Sequence, residues 1–294
     1  MVLLLKVFAW IIARLPLPVA LAIGRGIGRL FGAAASRQRT RAIDQLHACF
    51  PEKSHDEVLD ITRAMFANLG MNTIDMLRWL GGNDEELKRR VVAVNDHYLQ
   101  QVAAKGKGIA VLTAHIGNFD VMALWAASRH PLTILSKEIK NRGVNEYWMK
   151  KRSAAGLHIL PAHKSYRACL AVLKRNEVLG FILDQNMTRD EGIFVNFFGK
   201  PACTTPGLAM LAGHAGAEVL PVFAFRKPDG NHEIRFWPPI PPPADRKPES
   251  LAAATQAYSD VMEEAIRLDP AQWIWMHRRW RTQPLPAEGK EIPS

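Results

Sequence analysis

The stretch TAHIGNFD, residues 113–120, places an aspartate five residues after a histidine, and these two side chains can perform acid–base chemistry together. A carboxylate bonded to one imidazole nitrogen fixes the tautomer and makes the other nitrogen a better base. We therefore expect His115 to take a proton from a hydroxyl group while Asp120 orients the ring. The alternative is a structural histidine beside a carboxylate that stabilises a helix N-terminus.

The elements around this stretch predict how the two side chains are positioned. The apolar run GIAVL before it is typical of a strand, and VMALWAA after it is typical of a helix. Ligands of α/β proteins bind where strands end, and His115 lies just past such an end. Gly117 permits the sharp turn, and Asn118 can cap the helix, so Asp120 in its first turn can reach the imidazole.

The rest of the chain alternates strand-like and helix-like segments, which predicts an α/β fold with a mixed, mostly parallel sheet covered by helices. Strands are predicted at 91–94, 108–113, 132–136, 157–160, 177–184 and 217–226. Residues 231–236 alternate polar and apolar side chains before a proline-rich stretch, which predicts an edge strand. Ser54 and Glu57 form a capping-box pattern at the start of an amphipathic helix.

The N-terminus is apolar and basic. Residues 1–50 contain seven Lys or Arg and one acid, Asp44, and the cations lie inside apolar stretches. This composition favours a segment lying in an anionic membrane interface, as does the net charge of +10. We predict a membrane-associating helical region at 1–35 and a catalytic domain at 36–294. A pair of core helices and a tilted membrane span are the alternatives.

The sequence lacks the motifs of several known kinds of catalytic and binding site. Cys49, Cys169 and Cys203 have no metal-ligand spacing, and we expect neither a metal nor a cofactor. There is no G-x-S-x-G elbow and no P-loop, and GRGIGR at 24–29 follows no clear strand, which argues against a dinucleotide loop. A base without a protein nucleophile predicts direct transfer to a substrate hydroxyl.

Three segments carry a family resemblance: TAHIGNFD at 113–120, residues 184–226 beginning DQNMTRDEGIFVNFFGKPACTTPG, and QWIWMHRRWRTQP at 272–284. The chain resembles the bacterial lipid A late acyltransferases, within the wider glycerolipid acyltransferase superfamily. The resemblance implies an acyl-thioester donor, usually acyl carrier protein, and a lipid A precursor as acceptor. It also implies work at the cytoplasmic face of an inner membrane, with no covalent acyl-enzyme.

The resemblance extends to charged and polar residues that would bind substrate. Arg152 matches a family arginine and is a candidate for phosphate or oxyanion contact. Lys137 and Asn141 hold positions where the family more often shows arginine and asparagine, although a lysine cannot form a bidentate fork. Asp184 follows an apolar strand, and burying its charge in the core is costly unless the charge is paired. We therefore expect Asp184 to face the ligand crevice at the strand ends, with Arg152 as one possible partner. A solvated helix face is the alternative for Lys137 and Arg152.

Apolar and small residues complete the predicted binding set. Phe194 and Phe198, in a loop or short strand that includes Gly199, are interpreted as a wall of the acyl-chain channel, with core packing as the alternative. Thr204 or Thr205 before Pro206 predicts a helix start that could meet a phosphate. The predicted substrate-binding residues are Asn118, Lys137, Asn141, Arg152, Asp184, Gln185, Phe194, Phe198, Gly199 and Thr204.

The C-terminal run WIWMHRRWR interleaves tryptophans with arginines. Beside an apolar N-terminus it favours an interfacial or anionic-headgroup role, and no nucleic-acid module is recognisable. Three other functions remain open: a lysophosphatidate acyltransferase, a non-catalytic lipid-binding protein, and an esterase. The first lacks its usual acidic–glycine–threonine–arginine run here, the second would not need His115, and the third lacks the serine elbow.

Overall fold

The structure, a computed structural model, describes residues 1–285. The strands are β1 (Val91–Val94), β2 (Ile109–Thr113), β3 (Leu132–Ser136), β4 (Leu157–Pro161), β5 (Val178–Ile182), β6 (Ile193–Phe197), β7 (Lys200–Thr204), β8 (Val219–Arg226) and β9 (His232–Phe236). The helices are α1 (Val2–Arg14), α2 (Leu17–Ala34), α3 (Ser36–Cys49), α4 (His55–Leu80), α5 (Asp84–Arg89), α6 (His97–Ala103), α7 (Phe119–Ala127), α8 (Arg142–Ala154), α9 (Tyr166–Lys174), α10 (Gly207–Ala215) and α11 (Pro248–Leu268). The predicted capping box of Ser54 and Glu57 begins α4.

Seven strands form one sheet in the order β1-β9-β8-β2-β5-β3-β4, and β6 and β7 form a separate hairpin. The strands β8, β2, β5, β3 and β4 are parallel, whereas β9 is antiparallel to β8. The predicted mixed, mostly parallel sheet is therefore confirmed. The predicted edge position of β9 is wrong, because β1 pairs with it along Val91–Val94. Local alternation cannot reveal a partner strand that lies about 140 residues away.

Helices cover both faces of the sheet, and the alternation of side chains along each strand supplies two cores. On β2, Ala110 and Leu112 belong to the core that includes residues of α9, α10 and α11. Ile109 and Val111 point the other way, toward the core that includes residues of α4 and α7. The helix α7 thus lies over the sheet face that the odd-numbered residues of β2 present.

The glycines of α2 allow it to lie against α4 with the two backbones in contact. A Cβ on Gly28 would overlap the carbonyl oxygen of Phe66, and a Cβ on Gly70 would overlap that of Gly24. The GRGIGR run is thus helical and packs against a helix, which agrees with the prediction that it is not a dinucleotide loop. These contacts join the N-terminal helices to α4, and the Asn72 side chain of α4 donates to the carbonyl of Gly117 in the loop after β2.

The opposite side of α1 and α2 is exposed and apolar. Leu3, Leu4 and Leu30 are each more than 70% exposed. The α2 helix has the length and composition that a membrane span requires, and 28% of its apolar window is buried within the protein. The predicted boundary after residue 35 follows the end of α2 at Ala34. A membrane-associating role for this region stays a prediction.

Candidate active site

His115 and Asp184 meet because they follow adjacent parallel strands by the same number of residues. In the register of β2 and β5, Thr113 lies opposite Ile182, and each charged residue comes two positions later. The pairing continues past the strand ends, where the backbone N–H of Leu183 donates to the carbonyl of Thr113 over 3.0 Å. The carboxyl edge of the sheet therefore sets the imidazole and the carboxylate side by side.

The Asp184 carboxylate accepts three hydrogen bonds. One oxygen accepts from Nδ1 of His115 at 2.7 Å, and the other accepts from the backbone N–H of His115 and from Nε1 of Trp273, each at 2.8 Å. An ionised carboxylate only accepts, so Nδ1 of His115 carries a hydrogen and Nε2 of the neutral ring keeps its lone pair. This tautomer is the one that a general base facing the cavity requires.

Burial and charge act in opposite directions on the pair. Burial alone lowers the pKa of His115, but the charge and hydrogen bond of Asp184 outweigh it, and the pKa is raised above its ordinary value. Burial alone raises the pKa of Asp184, yet the His115 charge, its hydrogen bonds and the Trp273 N–H hold that pKa well below the usual range. The pair therefore consists of an ionised Asp184 and an imidazole of increased basicity.

The structure corrects the partners expected for Asp120 and Asp184. The Asp120 carboxylate forms its ion pair with the guanidinium of Arg152, and Asp184 bonds to His115. Asp120 lies in the first turn of α7 and faces α8, which carries Arg152, whereas β5 delivers Asp184 directly to the ring. Asp120 still contributes the smallest of the charge effects that raise the pKa of His115. Its catalytic role stays a prediction.

The turn between β2 and α7 has the geometry expected from its sequence. Gly117 has a left-handed φ of +55°, and a Cβ there would overlap the carbonyl oxygen of Ala224. The Asn118 side chain caps α7 by accepting from the N–H of Val121 at 3.3 Å. Asn118 is almost fully buried and is absent from the cavity lining. Direct substrate contact by Asn118 has no support from this arrangement.

A cavity of about 640 Å³ opens beside the imidazole and extends between α7 and the sheet. Its polar lining includes His115, Asp120, Lys137, Arg152 and Gln185. Its apolar lining comes from α7 and from five strands of the same sheet face, among them Val111, Met122, Trp125, Leu132, Ile134, Val178, Gly180, Val222, Ile234 and Phe236. The arrangement combines a base, cations and a long apolar volume in one site.

Neither phenylalanine of the predicted aromatic channel wall lines this cavity. Phe194 is partly exposed on β6. Phe198 is buried against Phe50 and Trp275, with ring centroids 5.4 and 5.8 Å away. With Gly199 it forms the two-residue turn between β6 and β7, where both have positive φ. The alternative of core packing holds for Phe198, and Gly199 serves the turn.

Two further predicted binding residues have structural contacts instead. The Asn141 side chain caps α8 by accepting from the N–H of Val144 at 3.0 Å. Thr204 is buried at the end of β7 and accepts from the guanidinium of Arg279. Its neighbour Thr205 lines the cavity and accepts from the N–H of Gly207, where α10 begins. The helix start expected after Thr204 or Thr205 is therefore present, and of the two threonines Thr205 is the one that lines the cavity.

The C-terminal run is largely part of the core, so the interfacial role predicted for all of it is wrong. Trp273, Trp275 and Arg279 are fully buried, whereas Arg278 and Arg281 are exposed. The Arg279 guanidinium donates to the carbonyls of Gln185 at 3.2 Å and Cys203 at 3.0 Å. The run therefore holds the segment after β5 in place. In the sequence, the only sign of this structural role was the alternation of tryptophans with arginines. The same alternation also occurs at membrane and protein interfaces, so it could not distinguish the two roles.

Sequence reasoning also missed Asp75, on α4, which is fully buried with cationic partners. Its only sequence signal is a carboxylate within an otherwise apolar helical stripe. Within residues 1–285, no group of three or more His, Cys, Asp or Glu side chains is placed to hold a metal ion.

Comparisons with known proteins show which family the chain is similar to. Residues 1–282 match the family described as bacterial lipid A biosynthesis acyltransferase. The lipid A biosynthesis lauroyltransferase of Escherichia coli K12 is 27% identical over 282 residues, which are 94% of this chain and 89% of that protein. The lipid A biosynthesis palmitoleoyltransferase of the same organism is 25% identical, with the same coverage of 94% and 89%.

Two other similarities are more distant or shorter. The phosphatidylinositol mannoside acyltransferase of Mycobacterium tuberculosis H37Rv is 29% identical over 65% of this chain and 60% of that protein. The crystal structure of a 1-acyl-sn-glycerophosphate acyltransferase from Thermotoga maritima superposes with a TM-score of 0.40 at 16% identity, covering 85% of this chain and 99% of that one. The match over residues 1–282 is the decisive comparison. The chain belongs to the bacterial lipid A biosynthesis acyltransferase family and is an acyltransferase.

Proposed function

We propose that this acyltransferase moves a fatty acyl chain from a thioester, carried by acyl carrier protein, to a hydroxyl of a lipid A precursor at the cytoplasmic face of an inner membrane. The observation that carries the proposal is the imidazole of His115, which is bonded to Asp184 and lines a large, mostly apolar cavity. Family membership supports acyl transfer in lipid A synthesis. A lipid-binding protein without catalysis would have no use for this pair.

In the proposed reaction His115 acts as a general base on the acceptor hydroxyl. Nε2 takes the hydroxyl proton while the oxygen attacks the thioester carbonyl, and a tetrahedral oxyanion forms. The carbon–sulfur bond then breaks, and the leaving thiolate takes the proton from the imidazolium. The products are an ester and a thiol, and no acyl group is transferred to the protein. Asp184 holds the ring and stabilises its charged form throughout.

The apolar part of the cavity is suited to the acyl chain. It lies on the sheet face below α7, and its lining side chains come from strands that the core holds rigidly. Gly180 leaves room at the middle of β5, since a Cβ there would lie 3.2 Å from Cγ2 of Ile134. A chain that enters with its carbonyl beside His115 would extend along these strands. This placement replaces the aromatic wall of Phe194 and Phe198.

Cations at the cavity are suited to the acidic parts of the substrates. Lys137, Arg152 and Arg281 all line it. The Arg152 side chain is fixed by its ion pair with Asp120 and lies over the Trp148 ring at 4.8 Å. A fixed guanidinium can stabilise the oxyanion or bind a phosphate of the acceptor. Lys137 and Arg281 would contribute longer-range attraction.

The exposed apolar side of α1 and α2 supports contact with a membrane. Arg14 stacks on Trp10 with its guanidinium carbon 3.6 Å from the ring centroid, and such pairs suit the boundary between lipid and water. The start of α1 also lies beside α8, where a Cβ on Gly143 would lie 3.1 Å from Cγ2 of Val2. The proposed membrane surface is therefore continuous with the helix that carries Arg152.

The test is an acyl-transfer assay with purified protein, lauroyl-acyl carrier protein and a lipid A precursor, with products read by mass spectrometry. We expect a product heavier by one acyl group, and no product from a folded His115→Ala variant. A phosphatidylinositol mannoside and a lysophosphatidate are offered in parallel reactions. Transfer to either of them but not to the lipid A precursor would contradict the proposed acceptor, and wild-type turnover by His115→Ala would contradict the mechanism.

A further inference from the structure

A buried ionic cluster lies behind the active-site loop and outside the cavity lining. The Asp75 carboxylate, on α4, has no exposed surface. It accepts from Arg90 at 2.9 Å, from Nε2 of His232 at 3.1 Å and from the guanidinium of Arg226. Breaking such a pair leaves an uncompensated buried charge, so the cluster holds its members in one arrangement. None of these four side chains lines the cavity.

Asn72, one turn before Asp75 on α4, connects this cluster to the loop that carries His115. Its Oδ1 accepts from the guanidinium of Arg226 at 2.8 Å, and its Nδ2 donates to the carbonyl of Gly117 at 2.6 Å. The same peptide segment is held on its other side, where the N–H of Gly117 donates to the carbonyl of Gln272 at 2.9 Å. Both backbone polar groups of Gly117 are therefore fixed by the protein.

The position of Gly117 controls where the imidazole points. Asp184 holds the ring and the backbone N–H of His115, and Asn72 holds the chain two residues later. Gly117 has a left-handed φ of +55°, and its carbonyl and its N–H are both hydrogen-bonded in that conformation. Catalytic groups lose rate steeply when they are displaced by about 1 Å, so a support of this kind acts on the chemical step.

We infer that Asn72 is a positioning residue for His115, with Asp75 and Arg226 as its buried anchor. The inference rests on the proposed role of His115 as the general base. Asn72 touches neither the cavity nor the imidazole, and its contribution passes through the carbonyl of Gly117. Its loss therefore changes the orientation of the base more than it changes the binding of donor or acceptor.

The test is Asn72→Asp, which keeps an acceptor for Arg226 but replaces the donor to Gly117 with an oxygen that repels its carbonyl. We expect kcat to fall about tenfold to a hundredfold while KM for both substrates is unchanged. The matched control is Asn68→Asp, one turn earlier on α4, where the same change removes a 3.1 Å hydrogen bond to the carbonyl of Ala271. We expect Asn68→Asp to keep the wild-type kcat while its thermal midpoint of unfolding is similar to that of Asn72→Asp.

A second readout separates this inference from the proposed function. The rate at which diethyl pyrocarbonate modifies His115, read by peptide mass spectrometry, requires no acyltransferase activity. It should change in Asn72→Asp and not in Asn68→Asp. An unchanged rate together with wild-type kcat, or equal losses in both variants, would overturn the inference. If Asn72→Asp does not fold, Asn72→Ser is measured in the same way. If the wild-type protein transfers no acyl group, the proposed function fails and the modification rate still decides the role of Asn72.

Discussion

Nδ1 of His115 and Oδ1 of Asp184 lie 2.7 Å apart although 69 residues separate them in the chain. Asp120, only five residues from His115, is paired with Arg152 instead. The carboxylate bonded to the imidazole therefore comes from the segment that follows the adjacent strand, and the carboxylate of the local motif pairs with the neighbouring arginine. This exchange of partners changes what each substitution should do.

Asp184→Asn should lower kcat severely. The amide keeps the shape of the side chain but removes the charge that stabilises the imidazolium, and it can present N–H to Nδ1 and so favour the wrong tautomer. General-base assistance commonly contributes about 10²–10⁴-fold, and we expect most of it to be lost. Steady-state kinetics at saturating donor and acceptor provide the measurement.

Asp184 also accepts a hydrogen bond from the buried Trp273, so Asp184→Asn could lower the stability of the fold as well as kcat. The thermal midpoint of unfolding is therefore measured on the same preparation. Trp273→Phe is the matched control, since it removes one 2.8 Å donor to Asp184 and leaves the charge in place. We expect a smaller fall in kcat for that variant. Similar kcat values for wild type and a folded Asp184→Asn would contradict the pairing as a catalytic feature.

Asp120→Asn and Arg152→Gln should have effects that are not additive, because each residue acts through their ion pair. Each single change frees the partner from its fixed position, and the double change should lower kcat/KM little more than the worse single change. A double-mutant cycle measured with one donor and one acceptor checks this. Additive losses would mean that Asp120 acts on His115 independently of Arg152.

The pH dependence of kcat/KM should show one ascending limb that belongs to His115. The base must be neutral, so activity rises as pH passes through a pKa that lies above the ordinary value of 6.5. In Asp184→Asn the charge that raises this pKa is gone, and the limb should move to lower pH. A limb that stays in place would show that another group titrates.

The same pair should stabilise the fold most between the ordinary pKa values of its two groups, 3.8 and 6.5. Asp184 has a lowered pKa when folded, so its contribution is present above 3.8 and is lost as pH falls below it. His115 has a raised pKa, so its contribution is present below 6.5 and is lost as pH rises through the folded value. The difference in thermal midpoint between wild type and His115→Ala, measured from pH 3 to 9, should therefore be largest inside this window. A difference that is constant across the range would contradict the linkage.

Gly180→Val should shorten the acyl chain that the enzyme accepts. A Cβ at this position enters the cavity 3.2 Å from Ile134 and 3.7 Å from Leu132, and a β-branched residue suits a strand. We expect kcat/KM to fall for long-chain donors and to be retained for short ones, so the short donor in each preparation is the internal control. Equal losses for all chain lengths would indicate a disturbed strand and would contradict the proposed acyl path.

Leu4→Ser with Leu30→Ser should weaken membrane binding, because both side chains are largely exposed on α1 and α2. Full burial of a leucine contributes roughly 1.5–3 kcal/mol, so the partition constant for anionic vesicles should fall about tenfold or more. Val92→Ser with Leu268→Ser, which removes two other exposed apolar side chains, is the control in the same sedimentation assay. Equal binding by both double variants would contradict the proposed membrane surface. Deleting residues 1–35 is a less specific test, since it also uncovers the face of α4 that packs on α2.

Local features of the sequence predicted most of the architecture. The period of apolar residues located the strands of the parallel sheet, and the short-range chemistry of Gly117, Asn118 and the Ser54–Glu57 pair predicted the turn and the helix starts. These features are local because a strand's alternation, a left-handed turn and a helix cap each involve residues a few positions apart. The same logic placed His115 and Asp184 at the carboxyl edge of the sheet.

Only the tertiary structure decided which side chains meet there. The sequence pointed to Asp120 as the partner of His115 because five residues separate them, but the register of β2 and β5 delivers Asp184 instead. Local patterns likewise did not show that β1 pairs with β9, whether Phe198 lines a channel or packs in the core, or that Asp75 is buried among cationic side chains. Each of these contacts joins residues far apart in the chain, and strand order and helix packing, which no local pattern encodes, determine which distant groups become neighbours.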